Sequence, residues 1–190
     1  SAILSSMIPG EIQSSSDAKA QYIELWEKSG VNIASGTYAG PAAGVEAAYN
    51  SSVRRMSDAI SIINSIPEKL MLVTKSEHIK EAYETGKGGI IFDFQDTLSF
   101  GTDLNKVDFF YNLGLRVVQL TYNLRNLVGD GCTEYHKTGL SYFGRELVGK
   151  LNDKNMIVDV SHWSEQVGWD SMDISSSPVV VTHSTSAAIV

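Results

Sequence analysis

Residues 156–162 read MIVDVSH and residues 179–183 read VVVTH. Each is a short β-branched, apolar run that ends in a histidine, and residues 164–174 between them carry a helical period. That arrangement reads as a β-α-β unit with parallel strands. The same alternation extends outward, with strands predicted at Ala2 to Ile8, Val31 to Tyr38, Gly89 to Gln95, Arg116 to Asn123, Met156 to His162 and Val179 to His183, and a weaker one at Leu70 to Val73. Helices are predicted at Asp17 to Ser29, Ala42 to Ile66, Ser76 to Thr85, Asp103 to Leu113, Ser141 to Asn152 and Ser164 to Ile174. Gly30, Gly86 and Gly114 each close a helix before a strand, Ser76 stands before Glu77 as an N-cap, and Thr102 with Asp103 starts another helix.

The runs IIFDF, VVQL, MIVDV and VVVT show little apolar–polar alternation, as expected where both faces of a sheet are covered. This favours a barrel or a doubly wound sheet over a sandwich. With no internal repeat or Pro-rich linker, residues 1–190 read as one domain. A closed α/β barrel needs eight strands, so six predict an incomplete one, about six of eight β/α units, with further polypeptide needed to close it. The alternative architecture is a doubly wound open sheet.

The chain has 22 acidic and 15 basic residues and a net charge of −7, with no basic run beyond Arg54-Arg55, which argues against a nucleic-acid partner. Neither a signal peptide nor a stretch of membrane-spanning length is visible, so the chain as given reads as soluble, with its location unknown. Cys132 is the only cysteine, which excludes an intrachain disulfide and any cysteine-based zinc cluster. A metal site has to use histidines and carboxylates.

Polar residues cluster where strands end: Gln95 after FDF, Tyr122 and Asn123 after QLT, His162 after VDVS and His183 after VVVT. The C-terminal strand ends of an α/β barrel face one cavity, so His162 and His183 are predicted to hold a divalent metal through neutral imidazoles. Asp159, Ser161, Thr182 and Ser184 stand beside them as outer partners. The turn-rich segment GDGCTE at 129–134 reads as a loop over the mouth, in which Asp130 and Glu134 are candidates to cap the cavity. Cys132 reads as buried rather than nucleophilic, and His78 and His136 have no assigned role.

In order along the chain, GLRVVQLTYN, GDGCTE, GLSYFGRELV, VDVSH and PVVVTHS resemble the membrane dipeptidase family of zinc peptidases, strongly from Gly86 onward. The resemblance implies a TIM-type (β/α)8 barrel of the metal-dependent amidohydrolase kind and a two-zinc centre that hydrolyses dipeptides. It makes His162 and His183 ligands of the second metal. Gln95 falls where the family has a bridging Glu, and a neutral amide bridges two cations poorly. The family's His-x-Asp pair for the first metal has no counterpart in this chain: either it precedes Ser1, or this branch lost it together with the bridging carboxylate. One zinc ion, or another first-row divalent metal, is the resulting expectation. Tyr122 occupies the position of a His that contacts the reaction intermediate, and a phenol can donate to an oxyanion in its place. Asn123 and Asp130 are the candidate substrate-binding residues.

The function expected is hydrolysis of a small peptide or amide by a metal-activated water. The alternative is a non-peptidase or catalytically silent relative, such as a peptide-tailoring enzyme or binding protein on the same barrel; a homo-oligomer is compatible with either.

Overall fold

A computed structural model describes residues 16–184, and the strand expected at Ala2 to Ile8 lies outside the described residues. Helix α1 (Ser16–Ser29) precedes β1 (Ile33–Ala39), α2 (Val45–Ser65), β2 (Leu70–Leu72), α3 (Ser76–Thr85) and β3 (Gly88–Phe94). A 3-10 turn (Leu98–Phe100), α4 (Asn105–Asn112), β4 (Leu115–Gln119), α5 (Tyr142–Asp153), β5 (Ile157–Asp159) and α6 (Glu165–Ile174) follow. All pairings among the five strands are parallel: β1 runs along one edge of β3, β2 and β4 share the other edge in succession, and β5 continues beyond β4.

Several strands stop earlier than expected, so Gln95, Tyr122, Asn123 and His162 stand beyond β3, β4 and β5. At β5 the cause is visible. The Asp159 carboxylate accepts from the Ser161 N–H at 2.8 Å and so diverts it from the sheet. The strand expected at Val179 to His183 is reduced to a parallel bridge between Asp159 and Val180, because the N–H groups of Thr182 and His183 turn to the Ser161 hydroxyl at 3.0 and 3.1 Å. Two helix starts also differ. Lys75, not Ser76, is the N-cap of α3, and α4 begins at Asn105, whose N–H is held by the Asp103 carboxylate at 3.0 Å. Ser141 and Ser164 act as N-caps whose hydroxyls accept from the N–H groups of Gly144 and Val167.

Side chains alternate across a strand, and here the two faces differ in chemistry. Tyr38, Ile90, Phe92, Phe94, Val118 and Val158 are buried in a core that includes residues of the surrounding helices. Its centre is the aromatic group Phe94, Phe100 and Phe110, with ring centroids 4.8 to 5.8 Å apart. The opposite face carries polar residues: the Ser35 hydroxyl donates to Asp93 at 2.5 Å, and Gln119 donates to the carbonyls of Gln95 and Thr121. Burial pushes the Asp93 carboxyl above its usual range, an effect partly opposed by hydrogen bonds from Ser35 and Thr37.

The segment between β4 and α5 arches over the strand ends and is built on two side chains. The Asn126 amide donates to Leu120 O at 2.9 Å, while its oxygen accepts from Val128 and Gly129. Asp130, 1% exposed, accepts from Arg125 Nε at 2.5 Å and from both the N–H and the hydroxyl of Thr138. At Gly131 an added Cβ would run into the carbonyl oxygens of Tyr122 and Asn123, so a glycine lets the loop lie against them.

Two outcomes are expected in the intact protein. Phe110→Ala removes a ring that contacts both Phe94 and Phe100 and is expected to cost about 3–5 kcal/mol in denaturant unfolding. Burial pushes the Asp130 carboxyl up, but the Thr138 and Arg125 hydrogen bonds outweigh it and hold the group below its usual range. A lowered folded value gives a contribution that is complete above the unfolded pKa of about 3.9 and is lost as pH falls through the folded value. Protection of the amides between Arg125 and Thr138, read as exchange relative to the intrinsic rate at each pH, is therefore expected to fall below about pH 4, and Asp130→Asn to lose that protection already at neutral pH.

Candidate metal centre

His162 follows β5 through a sharp turn in which its own backbone is left-handed, at φ +58°, a conformation uncommon outside glycine. The turn is held from the loop side, where the Cys132 N–H donates to the His162 carbonyl at 2.9 Å and Gly131 bridges to Trp163. Strained backbone kept in place by its surroundings is a feature of functional sites.

The His162 ring is confined on three sides. It stacks on Tyr122 with centroids 4.3 Å apart and an interplanar angle of 21°, meets the His183 ring edge-on at 4.9 Å, and donates from Nδ1 to Asn123 Oδ1 at 2.8 Å. The Cys132 thiol reaches the same Asn123 oxygen at 3.6 Å. An amide oxygen only accepts, so the proton sits on Nδ1 and Nε2 keeps its lone pair. Burial foremost, and then the neighbouring His183, push the His162 pKa down, while Asp159 opposes them. The ring is held in the neutral form that ligates metals.

His183 approaches from the segment after α6, with its Nδ1 2.9 Å from the Thr182 hydroxyl. The two imidazoles expected from the sequence are thus brought together. Two imidazoles with both Nδ1 atoms engaged suit a zinc-like ion, which takes nitrogen ligands and an outer carboxylate or hydroxyl partner. Among the described residues, no third His, Cys, Asp or Glu stands close enough to join them.

Gln95 is fixed by its backbone, its N–H donating to Ala39 O at 2.9 Å and its carbonyl accepting from Gln119 at 3.0 Å; its side chain is half-buried. Asn123 stands against His162, and Tyr122 beneath the ring. Asp130 spends its carboxylate on Arg125 and Thr138 inside the loop, and Glu134 accepts from the Arg125 N–H. Cys132, expected to be buried, is exposed because the loop turns it outward beside Asn123. Neither Asn126 nor Asp96 was picked out in the sequence, where an Asn or Asp in a turn-rich stretch looks like any other turn residue. Together they join the loop to the end of β3, with Asn126 Nδ2 3.2 Å from the Asp96 carboxylate. Beside Tyr122 and Asn123 opens a cavity of about 880 Å³, with Pro41, Leu98, Leu124 and Leu127 among its walls.

Residues 12–190 match the family model of the membrane dipeptidases, peptidase family M19. Dipeptidase tcpJ of Claviceps purpurea is 29% identical over 153 residues, 76% of this chain and 36% of that protein. An amidohydrolase structure from Pseudomonas aeruginosa superposes with a TM-score of 0.76 at 31% identity, over 84% of this chain and 47% of that one. A Rhodobacter sphaeroides metallo peptidase liganded with a phosphinate mimic of the dipeptide L-Ala-D-Ala shares the fold, with a TM-score of 0.71 at 20% identity, over 93% of this chain and 50% of that one. The chain spans about a third of the curated relative and half of the solved chains. The parallel sheet and its helices are part of a TIM-type barrel of the amidohydrolase kind. Taken with its paired histidines and their loop, the match over nearly its whole length shows that this chain belongs to the membrane dipeptidase family.

Proposed function

We propose that this segment supplies the histidine half of the active site of a metal-dependent hydrolase acting on a small peptide or amide. The observation that carries the reading is the convergence of His162 and His183, with centroids 4.9 Å apart and each Nδ1 on a hydrogen-bond partner. A divalent ion bound there, zinc by family, supplies the Lewis acidity that polarises a scissile carbonyl and activates water.

The remaining roles belong to the chain. Asn123 fixes the His162 ring and lines the substrate cavity. Tyr122, stacked on His162, offers a phenol to the oxyanion that develops at the carbonyl. Asp130 acts through the loop that it holds together. The apolar walls at Pro41, Leu98, Leu124 and Leu127 suit a substrate side chain. Gln95 presents a neutral amide where a bridging carboxylate is required for two adjacent cations, so one ion per chain is proposed.

The same two facts, Gln95 and the lack of a third acidic or imidazole ligand among the described residues, support a second reading: a non-peptidase relative on the same barrel, a peptide-tailoring enzyme or a binding protein. Intact protein assayed with a panel of dipeptides separates the two. Hydrolysis that disappears in His162→Ala and in His183→Ala, together with at most one tightly held metal per chain by elemental analysis, is the expected result. Tight metal binding without turnover of any dipeptide favours the second reading. Two ions at full occupancy would overturn the proposed role of Gln95.

A further inference from the structure

We infer that Asp159 is a positioning residue for His183, acting through the Thr182 hydroxyl to hold its imidazole as the Nδ1–H tautomer with Nε2 free to ligate. The inference deepens the proposed metal site and rests on that reading. Asp159 is 3% exposed at the end of β5 and touches neither imidazole through a hydrogen bond. Its Oδ1 accepts from the Ser161 N–H at 2.8 Å and the Ser161 hydroxyl at 2.7 Å, and its Oδ2 accepts from the Thr182 hydroxyl at 2.5 Å.

Counting protons then fixes the direction of each bond. A carboxylate only accepts, and a threonine hydroxyl carries one hydrogen. With that hydrogen committed to Asp159 Oδ2, Thr182 Oγ1 faces His183 Nδ1 at 2.9 Å as an acceptor. The proton between them has to come from the ring. The Ser161 hydroxyl, 3.2 Å from Thr182 Oγ1, does not compete, because its own hydrogen goes to Asp159 Oδ1. Ser161 instead accepts from the N–H groups of Thr182 and His183, which fixes the backbone that carries the ring. His162 reaches the same tautomer by a separate device, the Asn123 amide oxygen. The tautomers of the two rings are therefore set by separate partners, one a neutral amide and one a carboxylate relayed through a hydroxyl.

The test uses the intact protein. In the metal-free form, long-range ¹⁵N–¹H correlation spectra are expected to show His183 as the Nδ1–H tautomer. Thr182→Val keeps the shape but removes the acceptor, and is expected to move His183 toward the Nε2–H tautomer and to weaken zinc binding, measured by chelator competition, by about 10–100-fold. Thr182→Ser restores the hydroxyl and is expected to restore both readings. Asp159→Asn frees the Thr182 hydrogen to face the ring and is expected to resemble Thr182→Val; should it fail to fold, the two Thr182 variants decide. An unchanged tautomer and zinc affinity in Thr182→Val would overturn the inference, as would equal losses in the Val and Ser variants, which a packing role alone explains. A wild type that holds the Nδ1–H tautomer but binds no zinc refutes the proposed metal site while leaving the relay standing.

Discussion

The carboxylate of Asp159 is the point on which the site depends. It ends β5 by taking the Ser161 N–H, ties Ser161 to Thr182, and so places the residues that precede both histidines on a single side chain. Hydrogen bonds to a charged group contribute roughly 1.5–3 kcal/mol each, about twice the neutral kind. Hydrocarbon in place of Asp159 leaves the Thr182 and Ser161 hydroxyls without that acceptor, and the two histidine-bearing segments lose their common anchor.

This arrangement is possible because the sheet separates its two faces. Phe92, Phe94, Val118 and Val158 are buried in the core shared with the helices, while Asp93, Gln119 and Asp159 are buried on the other side among hydroxyls and carbonyls. Buried polar groups are tolerable only with partners, and most of these have one. Asp93 Oδ1, Gln119 Oε1 and Thr121 Oγ1 have no hydrogen-bond partner among the described residues.

The loop from Leu120 to Leu140 supplies the remaining constraint. Asn126 and Asp130 give it a rigid frame, and Gly131 lets it approach Tyr122 and Asn123 so closely that the Cys132 N–H reaches the His162 carbonyl. The left-handed backbone of His162 is held by that contact. Loop and histidine geometry are thus coupled through short hydrogen bonds, while Leu120, Val128 and Leu140 root the loop in the hydrophobic core.

From the sequence alone, the β-α order, the parallel sheet, the helix-closing glycines and the pairing of His162 with His183 were all legible, because each rests on local periodicity or on residue type at a strand end. The family was legible for the same reason, since GDGCTE, VDVSH and PVVVTHS are contiguous strings. Where strands stop was not. β5 ends at Asp159 because that residue's own carboxylate takes the N–H two residues on, and the Val179 segment makes only a bridge because the Ser161 hydroxyl, more than twenty residues away in sequence, takes the Thr182 and His183 N–H groups; periodicity registers neither competition. The engagement of Asp130 within its own loop, the stacking of Tyr122 on His162 and the relay from Asp159 to His183 likewise depend on contacts across the fold. Residue type determined which atoms could donate or accept. Only the tertiary structure decided which of them meet, because a hydrogen bond is fixed by distances of a few tenths of an ångström between groups the chain brings together on folding.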